Sequence, residues 1–237
     1  MCTLIFWYRA FEGSPLIVAA NRDERLDRPS APPSVRQLSR RRALCPTDLQ
    51  AGGTWLGIND RRFFAAITNR FGRKKHDGRR SRGELVLEAL DHDSAESAAL
   101  AVAGLDPHCE NAFNLAIADE YSAHLISCDG DAITHRRLSP GLHVITERSF
   151  ETGPTAREFM IRSRLDALTE PDAEVLTTLL SSHSEDGFEG VCVHVPRLNY
   201  GTRSSTILRV SNDVSFLFAD GPPHQTPYLQ VDTTPIA

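Results

Sequence analysis

The sequence predicts a segregated α+β fold, and three observations point that way. Strand-like and helix-like stretches come in blocks (strands, helices, strands, helices, strands), not in the alternating βαβ order that builds a parallel sheet. Neighbouring apolar, partly β-branched runs are joined by short turns, which is the chemistry of antiparallel hairpins. No linker and no internal repeat interrupts the 237 residues, so 1–237 is expected to form a single domain.

Thr3 to Arg9 is apolar enough for a first strand, and Glu12-Gly13-Ser14-Pro15 turns it into a second from Leu16 to Ala20. Asn21 to Pro33 is polar and ends in proline, so a loop is expected. Trp55–Ile58 and Phe63–Thr68 form the next hairpin around Asn59-Asp60, and Arg70–Arg80 is a basic, glycine-containing loop. Ser81 with Glu84 three residues later predicts a capping box at the start of a helix. A second helical stretch, Ser94–Val102, stops at Gly104. Strands are then expected at Phe113–Ala118, Ala123–Ser127, Ala132–Arg136 and Leu142–Thr146. Helices follow at Ala156–Leu168 and Asp172–Ser181, the latter entered through Pro171 at a favourable first-turn position. Strands at Gly190–Val195, Ser204–Val210 and Val214–Phe218 precede a proline-rich tail.

Composition narrows the function. Hydrophobic residues make up 41% and charged residues 24%, as in ordinary globular chains. Twenty-six basic against 31 acidic side chains give a net charge of −5, the opposite of a nucleic-acid binder's excess. No apolar run approaches the ~18 residues that span a bilayer. The N-terminus lacks the pattern of a signal peptide, so a cytoplasmic protein is expected. Five widely spaced cysteines without a C-x-x-C pair argue against both a disulfide framework and a zinc ribbon. Nine histidines without an H-E-x-x-H spacing give no reason to assign a metal.

Four segments could carry chemistry. Removal of Met1 would put a free α-amine, pKa about 8, on the same residue as the Cys2 thiol, giving nucleophile and general base together. On position alone, Cys2 reads first as the residue that merely follows an initiator methionine. Asn21-Arg22-Asp23-Glu24 lies directly after a strand and could bind a polar group or orient an amine; a solvated loop is the plainer reading. Gly52-Gly53-Thr54-Trp55-Leu56-Gly57 allows close backbone approach, and Asn69 ends the following strand with an amide that could serve an oxyanion. A tight hairpin with Trp55 in the core fits equally well. Tyr200-Gly201-Thr202-Arg203-Ser204-Ser205-Thr206 places Arg203 where it could hold a carboxylate or end a strand in a salt bridge.

These segments, with Met1-Cys2-Thr3-Leu4, Arg28-Pro29, Thr68-Asn69, Ser81-Arg82-Gly83-Glu84-Leu85 and Phe113-Asn114-Leu115, occur in the order seen in the NRDE family, named in eukaryotes for transport and Golgi organisation. The chain resembles that family over most of its length. The resemblance implies an αββα sandwich of the N-terminal-nucleophile hydrolase type, two mainly antiparallel sheets between helical layers, related to bile-salt hydrolases and penicillin V acylases. It assigns Cys2 as nucleophile, Asp23 as the group orienting the amine, Asn69 as an oxyanion donor and, more loosely, Arg203 as a late active-site arginine. Asn21, Arg22, Glu24, Trp55 and Glu147 are expected to line the ligand site. Two features depart from the relatives. Ala20 stands where the bile-salt enzymes have an arginine, with Arg22 displaced. Val144-Ile145-Thr146-Glu147 replaces a segment that ordinarily carries an asparagine, and an ionised Glu147 cannot donate a hydrogen bond. The tryptophan-proline-lysine segment that follows in the family is also missing.

Two functions are implied. One is a cysteine amidohydrolase of non-peptide C–N bonds, with no cofactor required. The other is a binding or trafficking protein on the same fold, with haem or an acyl-CoA or other lipid as bound ligand. Arg22 and Arg203, brought to one pocket mouth in the resembled fold, would repel each other unless an anion lay between them. An anionic, partly apolar small molecule is therefore the expected partner, with Glu147 restricting which anions enter. RNA binding through Arg70, Arg73, Lys74, Lys75, Arg79, Arg80 and Arg82 is disfavoured by the acidic balance.

Overall fold

The computed structural model describes residues 2–73, 76–149, 154–166 and 170–236. Within it the chain divides into two compact units, Met1–Arg28 with Gly141–Val231 and Pro29–Pro140 with Asp232–Ala237. Each unit is an antiparallel sheet with a pair of helices packed on it.

In the first unit the strands are β1 (Cys2–Phe11), β2 (Ser14–Arg25), and, after the second unit's segment, β10 (Gly141–Thr146), β11 (His194–Val195), β12 (Tyr200–Val210), β13 (Val214–Ala219) and β14 (Leu229–Gln230). Their order is β10-β1-β2-β12-β13-β14, with β11 paired to β12. The central strands are apolar throughout Leu4–Tyr8 of β1 and Leu16–Ala20 of β2, as stretches buried on both faces must be. Helices α3 (Ala156–Leu165) and α4 (Ala173–Ser181) cover one face. There Ile161, Leu165, Leu176 and Leu180 meet Ile5, Trp7, Ile17, Ala19 and Ile207.

The second unit is a meander: β3 (Ser30–Gln37), β4 (Arg42–Asp48), β5 (Leu56–Asn59), β6 (Phe64–Asn69), β7 (Phe113–Ala118), β8 (Ala123–Cys128) and β9 (Ile133–Arg137), each paired with the next. Helices α1 (Arg82–Leu90) and α2 (Ala95–Ala103) bury Leu85, Ala89, Leu90, Ala98 and Val102 against Phe63, Ala65, Leu115 and Ile126.

Several expectations are corrected. The polar run Asn21–Arg25 is not a loop but the end of β2, paired with β1 on one side and β12 on the other. Residues 30–33, the end of the expected loop, open β3 instead, and Pro32 and Pro33 fall in the register shift between Ala31 and Ser34, where missing donors cost no ladder bond. The strand expected over Gly190–Val195 is only His194–Val195. Ser81 makes no side-chain cap. The first turn of α1 is held instead by tertiary contact, with the Thr54 amide donating to the Gly83 carbonyl at 3.1 Å. The capping box belongs to α3, where Thr155 and Glu158 satisfy each other's backbone amides. Pro171 precedes the α4 cap, Asp172, rather than occupying the first turn. Leu168, expected to end α3, lies outside the described residues, and so do Met1, Lys74 and Lys75.

The glycines of two motifs find a shared reason. A Cβ on Gly53 would lie 2.4 Å from the carbonyl carbon of Gly83, and one on Gly83 would lie 3.0 Å from the Thr54 amide nitrogen. The close backbone approach that the glycines permit is thus between the β4–β5 connection and the start of α1. Gly53→Ala is expected to destabilise the protein by roughly 1–3 kcal/mol through overpacking, read as a lower urea midpoint at unchanged m value.

Candidate active site

The site is built where β1 begins. Cys2 opens that strand, half-buried, and pairs with Arg22 on β2. Arg22 in turn pairs with Ser204 on β12. On the other side Thr3 pairs with Thr146, the last residue of β10, and Glu147 follows in the turn beyond the strand. Directly opposed residues share a face. Cys2, Arg22 and Ser204 therefore form one row across the sheet. Thr146, Thr3, Asn21 and Ser205 form the next row, on the helix-covered face.

Asp23 is the buried acid on that helix-covered face. Its Oδ1 accepts from the Thr202 hydroxyl at 2.7 Å, and Arg157 of α3 lies 3.8 Å from Oδ2. The Thr202 oxygen also accepts from the Val193 amide at 2.9 Å, and the Tyr200 hydroxyl donates to the Asp23 carbonyl at 3.1 Å. Burial pushes the Asp23 carboxyl up to about 6; Arg157 and the Thr202 hydrogen bond pull the other way, and Glu147 adds to the rise. The Cys2 thiol is likewise pushed up by burial, against the pull of the Asp23 backbone amide and of Arg22. Left to itself, then, Cys2 is a neutral thiol near pH 7 and needs a base to attack anything.

Asn21 faces the protein. Its amide donates to the carbonyls of Leu180 and Val191, both at 2.9 Å, and its oxygen accepts from Ser205 at 2.6 Å. Glu24 is half-buried and lies 3.6 Å from Arg28. Arg203 occupies the β-bulge between Thr202 and Ser204 and donates to Asp220 at 3.0 Å. That carboxylate neutralises it, so the repulsion argument for a bound anion loses one of its two arginines. Trp55 and Asn69 belong to the second unit; Asn69 ends β6 with its side chain exposed, paired in register with Phe113. The first unit thus brings together Cys2, Arg22, Asp23 and Glu147.

Two members were not anticipated. Arg157 is 5% exposed and, besides approaching Asp23, donates to the Thr3 hydroxyl at 3.2 Å and to the Phe188 carbonyl. Its neighbour Glu158 caps α3 and accepts from Ser149 and Thr146 in the turn that carries Glu147. One helix start therefore holds both the acid behind Cys2 and the turn that carries Glu147. The signal in the sequence was Thr155-Ala156-Arg157-Glu158, a capping-box pattern.

The sequence pattern of the family described as Transport and Golgi organisation 2 matches residues 1–221. The human and bovine "Transport and Golgi organization protein 2 homolog" are each 28% identical over 243 residues, covering 86% of this chain and 85% of theirs. Among solved structures, a Caenorhabditis elegans N-acylethanolamine-hydrolyzing acid amidase ortholog aligns with a TM-score of 0.64 at 15% identity, covering 98% of this chain and 100% of its own. Penicillin V acylase from Agrobacterium tumefaciens aligns at 0.56 with 13% identity, covering 98% and 86%. The fold is the α+β fold of the N-terminal-nucleophile hydrolases. Among the described residues no helix is long and apolar enough to cross a membrane.

The raised Asp23 pKa has a sign for stability. The folded state holds the proton more tightly than the unfolded chain, so this group's contribution falls as pH rises from its ordinary value, near 4, to about 6 and is level above that. Asp23→Asn should remove that fall, so that the stability of wild type relative to the variant declines across this window. Arg157→Met, which takes away the buried cation, should destabilise by about 3 kcal/mol at neutral pH and carry the decline to higher pH. Urea unfolding at a series of pH values reads both.

Proposed function

Because the chain belongs to the Transport and Golgi organisation 2 family, whose fold it shares with hydrolases that attack amides, we propose that it is a cysteine amidohydrolase acting on a non-peptide C–N bond. The observation that carries this reading is the placement of Cys2 at the mouth of β1, in register with Arg22 and backed by a buried Asp23 of raised pKa. With Met1 removed, the α-amine of Cys2 takes the thiol proton and the sulfur attacks the amide carbon. The negative charge that develops on the carbonyl oxygen needs a counter-charge, which Arg22 supplies in the Cys2 row. The leaving amine departs with the proton and an S-acyl Cys2 remains. Water then attacks the thioester carbon, giving the acid and the free thiol. Asp23, above its pKa at neutral pH, holds the ammonium form of the amine; Arg203 keeps the end of β12 in place through Asp220. No cofactor takes part.

The second reading is a carrier for an anionic, partly apolar molecule, a haem or an acyl-CoA, on the same scaffold. It is favoured by the burial that pushes the Cys2 thiol up, together with the relatives' names, which speak of transport and organisation.

Intact mass and turnover separate the two. The amidohydrolase reading expects loss of Met1, and Cys2-dependent release of fluorophore from N-acyl-aminocoumarin amides of graded acyl length. Cys2→Ala should abolish release. Retained Met1, no turnover, and haem or acyl-CoA affinity indifferent to Cys2→Ala would overturn it in favour of the carrier.

A further inference from the structure

Three histidines from separate stretches of the first unit gather over one buried thiol. His183 follows α4, His194 lies in β11, and His224 belongs to the connection between β13 and β14. The His224 ring is 5.0 Å, centroid to centroid, from that of His183 and 4.9 Å from that of His194. His183 is exposed and the other two are half-buried. Cys192 is fully buried, with its sulfur 3.3 Å from His224 Nδ1. Burial pushes this thiol up to about 11, so it keeps its proton and can donate it to Nδ1 only while the ring is neutral. Burial and the two neighbouring imidazoles hold His224 below its ordinary pKa. The charged and titratable groups around the cluster are turned elsewhere. Asp186 accepts from the Ser184 hydroxyl and from the amides of Phe188 and Glu189, Asp220 binds Arg203, and the Tyr228 hydroxyl bonds Ser205. Glu185 and Glu189 are exposed.

The loop that carries two of these histidines, residues 182–195, also holds the partners of the buried acid. The Val193 amide donates to Thr202 Oγ1 at 2.9 Å, and its carbonyl accepts from the Thr202 amide at 2.8 Å. Thr202 is the hydroxyl donor to Asp23. The Val191 carbonyl accepts from Asn21, and the Phe188 carbonyl accepts from Arg157, the cation beside Asp23. His183 and His194 stand near the two ends of this loop, and His224 ties both to the β13–β14 connection.

We propose that His183, His194 and His224 form an acid-sensitive clasp: neutral, they keep the 182–195 loop on the partners of Asp23, and protonated, they part and let it lift, which disarms the Cys2 site reversibly. Protonating His224 takes the acceptor from the Cys192 thiol, and a second charge on a ring 5 Å away is repelled. His224 binds its proton less tightly folded than unfolded. Its contribution to the closed loop is therefore present above its ordinary value of 6.5 and is lost as pH falls below it. Asp23 runs the other way, holding its proton more tightly in the folded state. The regulatory role rests on the amidohydrolase reading; the opening of the loop does not.

Hydrogen exchange read by mass spectrometry on peptides covering 182–195, corrected for the intrinsic pH dependence of exchange, follows the clasp at about pH 7.5 and about pH 5. Protection in the wild type is expected to fall about tenfold on acidification and to return on neutralisation, while peptides from β7 and β8 hold theirs. With His183→Gln, His194→Gln and His224→Gln combined, the fall should shrink below about twofold. His183→Gln alone, at an exposed position that the core does not need, should reduce it to roughly threefold. Asp23→Asn should keep it. No fall in the wild type, an undiminished fall in His183→Gln, or loss of the fall in Asp23→Asn overturns the proposal. A loop that opens with acid in a protein without amide turnover at neutral pH sinks the amidohydrolase reading and leaves the clasp standing. Cys2-dependent turnover beside a loop that ignores acid does the reverse.

Discussion

A single buried carboxyl organises the first unit. Asp23 sits on the helix-covered face of the central strand pair, where an ionised acid can persist only if its surroundings compensate. Thr202 gives it a hydrogen bond from β12, Arg157 brings a cation from α3, and Tyr200 ties down its backbone. These contacts join two strands and a helix drawn from three distant stretches of chain. They also fix the direction of β2 at its last turn toward the surface, and with it the side on which Arg22 stands. The compensation is incomplete, as the raised pKa records. A pair held at 3.8 Å leaves the acid poised, able to answer a nearby ammonium more strongly than a tightly neutralised carboxylate would.

The same logic explains why polar side chains run on into a strand. Asn21, Asp23, Thr202 and Ser205 occupy positions that would ordinarily be apolar, and each is matched with a partner across the ladder or from a loop. Asn21 takes two carbonyls near the end of α4 and a serine hydroxyl at once. A strand whose polar groups are satisfied in this way is rigid where a loop would be adaptable. That rigidity is what a short nucleophile at a strand end needs, since Cys2 has little reach and depends on its neighbours staying in register.

What the sequence disclosed and what it hid follow one division. Apolar periodicity located β7, β8, α2 and α4 within a residue, because those elements are made by burial. It stopped β2 at Ala20, because a polar run looks like solvent-facing chain when the paired strand β12 lies some 180 positions away in sequence. The prolines of β3 concealed a strand for the opposite reason: a local breaker signal that the bulge absorbs. Ser81 and Thr155 both carry the capping pattern, yet only Thr155 uses it, since the Gly53–Gly83 contact had already set the first turn of α1. Cys2, Arg22 and Asp23 could be named from ordered motifs. Arg157 could not be assigned a role, as nothing in a helical arginine announces that it will be buried against an acid.

The bulge that hides β3 also governs what the second sheet can meet. As the terminal strand in the order β3-β4-β5-β6-β7-β8-β9, β3 is largely exposed along its length, and an open edge of a sheet ordinarily recruits further strands. Pro32 and Pro33 have no amide hydrogen to offer, the register breaks between Ala31 and Ser34, and Arg36 adds a charge that a docking strand would have to bury. The edge is thus closed chemically while remaining open sterically. A protein that must stay dispersed at high concentration, or survive partial unfolding without joining its neighbours, has that protection written into the eight residues of one edge strand.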